Sequence, residues 1–294
     1  MRKSIAALAA VTLSLALLPA LRHNATGAER PLIGHVHAGY QPEDDHKVFI
    51  VVVGSDARHG NPLRGALADA IHIVGVNTRT MKAGILNFPR DSYVDVPGHG
   101  RNKINSALYF GGPKLLAQTL EDITGIKIDY WVLTGFQGFQ SILKSLRGVK
   151  VHIPFRLYDP GGSGADIPPG YRHLSPPSAL AFVRDRHDFV QGDVARTTNQ
   201  AKVLIALLKK LHGEVRRNPA ALLRWLAVGT RFTARGVSAR ELYRLGILAT
   251  QLAAGGVQSR TVPVTVGTVG AASVVFISPG AQSLYSRFRK HAAL

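Results

Sequence analysis

The chain has 294 residues, 46% hydrophobic and 18% charged, enough apolar material for one large domain or two small ones. Lys and Arg total 36 against 18 Asp and Glu, a formal charge of +18. That balance suits a polyanionic partner: nucleic acid, anionic lipid or a phosphate-rich polymer, although a generally basic proteome would produce it too. Cysteine is absent, which excludes disulfides, thiolate metal sites, cysteine nucleophiles and a lipid-attached N-terminal cysteine.

Arg2 and Lys3 precede an apolar run over 5–21, and Arg22, His23 and Asn24 follow it. Residues 1–28 therefore read as an export signal or short membrane anchor. The run is shorter than the ~20 apolar residues of a spanning helix, which favours a signal peptide. Positive charge ahead of it puts the rest of the chain outside the cytoplasm, at the outer membrane face or secreted into the wall space. That location speaks against nucleic acid as a partner. Residues 29–46, rich in Gly, Pro and His without periodicity, read as linker, and His35 and His37 within it read as no metal site.

From 47 onward a single domain is expected. Residues 47–54 form a continuous β-branched run, the pattern of a strand buried on both faces. Runs at 70–76 and 83–88 predict two more strands. Short connections favour an antiparallel meander. Asp56 would then end the first strand, Asp69 begin the second and Arg90 follow the third, all on one sheet edge. Two carboxylates and an arginine there suit a divalent cation and a phosphate. Taken singly, each aspartate is more readily a turn residue than a ligand.

Residues 93–97 read as extended, and 101–105 as a loop carrying Lys103 and Asn105 ahead of a helix over 115–123. A strand at 128–133, a helix over 136–146 and a strand at 149–153 follow. Residues 154–174, with several Gly and Pro, read as loop. Ser175 and Pro176 have the pattern of an N-cap and first helical position, opening a helix to Arg184. A loop containing Arg186 leads to a long helix from 194. If Asp193 caps that helix, Asp193, Arg196 and Gln200 share one face, beside Arg184 and Arg186. Free N–H groups and arginines together suit an anion. Further helices follow Pro219 and a capping box at Ser238 and Glu241. Strands are expected at 260–266 and 271–277, then a basic C-terminal helix.

Several motifs occur in a fixed order: Gly-Ser-Asp-Ala-Arg (54–58), Asp69, Phe-Pro-Arg-Asp-Ser-Tyr-Val (88–94), Lys-Ile-Asn-Ser-Ala (103–107), Gly-Gly-Pro (111–113), Ala-Leu-Ala-Phe-Val-Arg-Asp-Arg (179–186) and Gly-Asp-Val-Ala-Arg (192–196). This set closely resembles the LytR–CpsA–Psr family of bacterial cell-envelope proteins. The resemblance implies an α/β domain with a mixed central sheet, flanking helices and an apolar lipid pocket. It implies transfer of a glycopolymer phosphate from a polyprenyl-pyrophosphate carrier to a peptidoglycan hydroxyl at the membrane surface. Mg²⁺, or Mn²⁺ in its place, would be the cofactor, and pyrophosphatase activity a side reaction.

The resemblance assigns Asp56 and Asp69 to the metal, Arg90, Arg184 and Arg186 to the pyrophosphate, and Asp193 to the catalytic group. It assigns Arg58, Lys103, Asn105, Arg196 and Gln200 to substrate binding. The chain departs from the family where Leu67 stands in place of an arginine, Ala70 in place of a hydroxyl residue, and Asn199 at another frequent arginine position. Arg64 is the nearest candidate substitute. A weakly active or non-catalytic polyprenyl-phosphate or polymer-binding protein is therefore the alternative.

Overall fold

The computed structural model describes residues 31–37, 46–58, 62–63, 65–229, 233–252 and 256–294. The signal or anchor expected over 1–28, most of the expected linker and Arg64 lie outside these residues. Among the described residues no helix is long and apolar enough to cross a membrane.

A seven-stranded mixed sheet forms the centre, in the spatial order β12 (Thr233–Arg235), β1 (Leu32–His35), β7 (Tyr130–Thr134), β2 (Lys47–Ser55), β3 (Ala68–Asn77), β4 (Lys82–Asn87) and β13 (Gln258–Thr261). β2, β3 and β4 form the expected antiparallel meander, with Val52 opposite His72 and His72 opposite Asn87. On its other side β2 runs parallel to β7, with Gly54 opposite Thr134.

Part of the expected linker is sheet. β1 pairs antiparallel with β7, setting Gly34 opposite Trp131. A Cβ on Gly34 would lie 2.5 Å from the Trp131 ring. Glycine thus lets the indole lie across the strand, where its N–H donates to the His35 carbonyl at 3.1 Å. His35 and His37 meet Glu241 and Glu121 at 3.1 and 2.9 Å.

Other segments also carry more order than their composition suggests. Within 154–174 lie the hairpin β9 (Leu157–Asp159) and β10 (Ala165–Ile167), and β11 (Gly170–Leu174), which pairs with β8 (Val149–Ile153). Leu157, Ala165, Ile167 and Leu174 are buried, and this burial outweighs the turn propensity around them. The expected loop at 101–105 is instead mostly β6 (Gly100–Lys103), paired with β5 (Tyr93–Val96). The run 260–266 breaks at Pro263 into β13 and β14 (Val264–Val269), and β14 pairs with β15 (Ala272–Ile277).

Seven helices surround the sheet among the described residues. α1 (Ser106–Thr124) begins earlier than expected, kinks at Gly112 (φ 70°) before Pro113, and stops at left-handed Gly125. α2 (Phe136–Ser145), α3 (Pro176–Arg184), α4 (Asp193–Arg217), α5 (Ala221–Gly229), α6 (Ala239–Gln251) and α7 (Ala281–His291) follow. Ser175 caps α3 by accepting the Ser178 N–H, and Ser238 and Glu241 form the capping box of α6.

One sheet face, through Phe49, Val51, Val53 and Ile73, packs on Leu116 and Leu120 of α1 and Tyr285 and Phe288 of α7. On the other face Val48, Ile50 and Val132 meet Leu242 and Leu245 of α6. A second core joins Leu143 of α2, Phe182 of α3 and Val203 of α4 to the β8 hairpin. β2 therefore alternates between buried and half-buried residues, not buried on both faces as expected. Its half-buried side includes Val52, which lines a cavity.

Candidate active site at the sheet edge

The meander delivers its three charged residues to one edge, as the strand order requires. Asp56 follows the last residue of β2, Asp69 is the second residue of β3, and Arg90 lies in the turn after β4. Arg90 Nη1 donates to Asp69 Oδ1 at 2.5 Å, and Arg90 Nε lies 3.6 Å from Asp193 Oδ2 and 3.9 Å from Asp91 Oδ2. Arg196 Nη2 sits 2.9 Å from Asp193 Oδ1 and 3.8 Å from Asp69 Oδ1. Two arginines thus alternate with carboxylates around a half-buried cluster.

Asp193 does not cap α4. Gly192 occupies the cap with φ 48°, a backbone suited to glycine, and Asp193 is the first helical residue. The helical face is nonetheless shared, because the spacing of Asp193, Arg196 and Gln200 is unchanged. Gln200 Nε2 donates to the Asp69 carbonyl at 3.2 Å and the Val183 carbonyl at 3.3 Å, tying α4 to β3 and α3. Asp56 is locked to Leu67 from both sides: its Oδ1 accepts the Leu67 N–H at 2.8 Å, and its own N–H donates to the Leu67 carbonyl at 3.0 Å.

These surroundings move the charges. Burial raises the Asp193 carboxyl, with Asp91 and Asp69 adding to the rise and Arg196 and Arg90 opposing it. Burial also raises Asp56, helped by Asp69 and opposed by the Leu67 N–H. Burial alone would lower Arg90, but Asp69 and Asp193 hold it above the ordinary range. Arg196 is lowered by burial against the pull of Asp193 and Asp69, and an arginine so lowered is still charged.

Behind the cluster opens a cavity of about 110 Å³. Val52, Phe136, Phe139, Leu180, Val183 and Leu204 form its apolar walls, while Asp69, Arg184 and Arg196 also border it. The Arg184 guanidinium stands 5.0 Å from the Phe136 ring centroid. His72 lies on the cavity wall, 1% exposed. Its Nδ1 is 2.9 Å from Asn87 Oδ1. Burial pushes it down to about 4, against hydrogen bonding from Asn87 and Gln200, so it is neutral near pH 7.

The structure thus brings together Asp56, Asp69, Arg90, Arg184, Asp193, Arg196 and Gln200. Lys103 and Asn105 border this cluster. Lys103 Nζ pairs with Asp91 at 2.9 Å, and the Asn105 backbone donates to the Arg90 carbonyl and accepts from the Ala68 N–H. Arg58 and Arg186 are exposed and make no ion pair among the described residues, although the Arg186 charge is close enough to act on Arg196. Sequence reasoning gave no role to Asp91 or His72. Asp91 adjoins Arg90 in its motif, and His72 is the lone polar residue in an apolar β-run, the signal that could have marked it.

Asp56 and Asp69 fit a hard divalent cation only in part. Among the described residues no group of three acidic, His or Cys side chains converges. Mg²⁺, however, commonly takes one or two carboxylates and completes its shell with water and substrate phosphates, so two aspartates beside phosphate-binding arginines are a consistent donor set.

Comparison with known proteins agrees with this architecture. The family model of the LytR_cpsA_psr family matches residues 20–290. The probable cell wall biosynthesis protein LcpB of Corynebacterium glutamicum is 31% identical over 265 residues, covering 81% of this chain and 60% of that protein. The polyisoprenyl-teichoic acid–peptidoglycan teichoic acid transferase TagT of Bacillus subtilis is 32% identical over 173 residues, 57% of this chain and 53% of that protein. The chain therefore spans between half and two thirds of the length of these curated relatives. Among solved structures, TagT with bound octaprenyl pyrophosphate superposes with a TM-score of 0.66 at 22% identity, covering 87% of this chain and 94% of that one. A family enzyme from Actinomyces oris gives a TM-score of 0.66 at 23% identity, over 90% and 94% of the two chains. The matched span takes in every described residue up to 290, and the chain belongs to the LytR–CpsA–Psr family.

Proposed function

We propose that the chain is an extracytoplasmic phosphotransferase that moves a glycopolymer phosphate from a polyprenyl-pyrophosphate carrier to a peptidoglycan hydroxyl. One observation carries this reading: an apolar cavity borders a cluster of arginines and carboxylates. An amphiphile with an isoprenoid chain and a pyrophosphate head matches both parts. The carrier would lay its chain between α2, α3 and α4 and its pyrophosphate against Arg184, Arg196 and Arg90. Arginine forks suit phosphate oxygens, and their charge opposes the negative charge that moves onto the leaving group.

In the transfer, the acceptor oxygen bonds to the polymer-side phosphorus and the bond from that phosphorus to the bridging oxygen breaks. Polyprenyl phosphate leaves with the electron pair. Asp193, whose carboxyl burial makes more basic, takes the acceptor proton. Asp56 and Asp69 would hold Mg²⁺ or Mn²⁺, which supplies Lewis-acid neutralisation of phosphate charge. Water in place of the hydroxyl would give pyrophosphatase activity. The test is release of polyprenyl phosphate from a pyrophosphate-linked donor by purified protein. Loss of release in Asp56→Ala and Arg184→Ala is expected, and unchanged turnover in both would sink the catalytic reading.

A second reading, a non-catalytic carrier of polyprenyl phosphate or anionic polymer, is favoured by one feature. Leu67, 37% exposed, stands beside Asp56 where the family resemblance expects an arginine. Tight lipid binding without transfer or hydrolysis would decide for it.

A further inference from the structure

The segment joining α3 to α4 begins at Arg184, which lines the cavity, and ends at Asp193 in the charged cluster. Midway it carries an exposed apolar tip. Val190 is fully exposed, and Phe155 and Tyr158, from the neighbouring β8–β9 segment, are 42% and 58% exposed. The two segments are stitched together. The Phe155 and Phe189 rings lie 5.1 Å apart, and the Asp188 carboxylate accepts the Tyr158 N–H at 2.5 Å. His187 Nδ1 lies 3.1 Å from Asp159 Oδ2. Phe189 packs against the second core, as do Phe139 and Val183, and the latter two line the cavity. The tip, through Phe189, and the cavity wall, through Phe139 and Val183, therefore rest on one apolar core.

Large side chains clustered in water are an unfavourable arrangement that commonly marks a contact surface. Their placement beside the cavity selects the partner. An isoprenoid chain cannot cross water cheaply, so a protein that takes one from a bilayer gains by touching the bilayer next to its binding cavity. Tyr158 has the Arg156 guanidinium, itself paired with Asp166 at 2.9 Å, 5.4 Å from its ring centroid, and exposed tyrosines beside arginines are common at membrane interfaces. The chain's charge of +18 favours an anionic bilayer over a neutral one. We propose that Val190, Phe155, Tyr158 and Phe189 form a membrane-contact tip that seats in the bilayer interface and feeds the lipid chain into the cavity. This rests on the lipid-carrier reading of the cavity.

The test uses the full chain on vesicles of phosphatidylglycerol with brominated acyl chains. Val190→Trp is compared with Val266→Trp, a control at another exposed valine, on β14 and 77% exposed. The unmodified chain supplies the background of its two native tryptophans. Tryptophan fluorescence at 190 should shift to the blue and lose intensity to brominated lipid, whereas that at 266 should not change. Because both variants share one N-terminal segment, membrane attachment elsewhere cannot produce this difference. No quenching at 190, or equal quenching at both positions, overturns the proposal. Binding of water-soluble farnesyl pyrophosphate is measured in parallel. If the unmodified chain fails to bind it while 190 is quenched, the lipid-carrier reading fails and the membrane contact stands. If only Val190→Trp fails to bind it, that variant is misfolded and Phe155→Trp takes its place under the same criteria.

Discussion

Asp69 and Arg90 meet at 2.5 Å because β3 and β4 are antiparallel neighbours whose ends emerge at one edge of the sheet. Arg90 also approaches Asp193 on α4, so one guanidinium links the sheet edge to the helix that carries Arg196 and Gln200. Arg90→Ala should lower turnover roughly 10²–10³-fold, the usual cost of removing one preorganised charge-stabilising donor. It should also cost about 1–2 kcal/mol of stability, because three carboxylates lose a shared donor. Arg90→Lys should recover most of that stability but not the rate, since an ammonium has no planar fork. Turnover and urea unfolding measured on both variants check this. Full activity in Arg90→Lys would mean that charge alone suffices.

Asp185 gives a pH signature of its own. It is buried, and burial together with Asp188 pushes its carboxyl up to about 6. The folded chain therefore holds this proton to higher pH than the unfolded chain, whose ordinary value is 3.8. The contribution to stability is complete below about pH 4 and is lost as pH rises through about 6. Asp185→Asn keeps an oxygen to accept the Asp188 N–H without a charge to bury. It should be about 1–3 kcal/mol more stable than the natural chain at pH 7 and nearly equal to it at pH 4. A difference in unfolding free energy that does not vary with pH would refute this.

His72 works in the opposite sense over an overlapping range. Its imidazole is pushed down from 6.5 to about 4, so the folded chain binds fewer protons than the unfolded chain below about pH 6.5. Stability from this group is present above 6.5 and falls, by up to about 3 kcal/mol, as pH drops to 4. Whole-protein stability curves will partly cancel the two effects, so the site itself must be observed. The His72 imidazole resonances should stay unchanged from pH 7.5 down to about 5. A midpoint near 6.5 would mean that the imidazole is solvated.

Much of the site was legible in the sequence because local rules place it. β2, β3 and β4 are consecutive apolar runs joined by the segment 56–67 and the short turn over 78–81, and their antiparallel order carries Asp56, Asp69 and Arg90 to one edge. The i, i+3, i+7 spacing likewise carries Asp193, Arg196 and Gln200 to one helical face, whichever residue caps the helix. What escaped depends on distant partners. β1 looks like linker because its four residues are Leu, Ile, Gly and His, and only pairing with β7, with Trp131 laid over Gly34, makes them a strand. β9 to β11 lie among prolines and glycines, and their order comes from burial against α3 and β8, not from propensity. Arg186 follows Arg184 by two positions, but it comes after the end of α3 and is exposed, so it reaches the cluster through its charge, which acts on Arg196.

Leu67 separates the two functional readings. Its backbone is fixed to Asp56 by two hydrogen bonds that do not involve its side chain. Leu67→Arg should therefore keep the local frame and add a cation beside Asp56 and Asp69. If a pyrophosphate binds there, one new charge-assisted hydrogen bond is worth about 1.4 kcal/mol, or roughly tenfold in affinity. Leu67→Gln, of similar length without charge, should bind no more tightly than the natural chain. Calorimetry with farnesyl pyrophosphate measures the affinities, and a donor-release assay on the same variants measures turnover. Tighter binding with faster release would identify an enzyme slowed by a missing arginine. Tighter binding with no release in any variant would identify a carrier. Unchanged affinity in Leu67→Arg would show that the pyrophosphate lies elsewhere than beside Asp56.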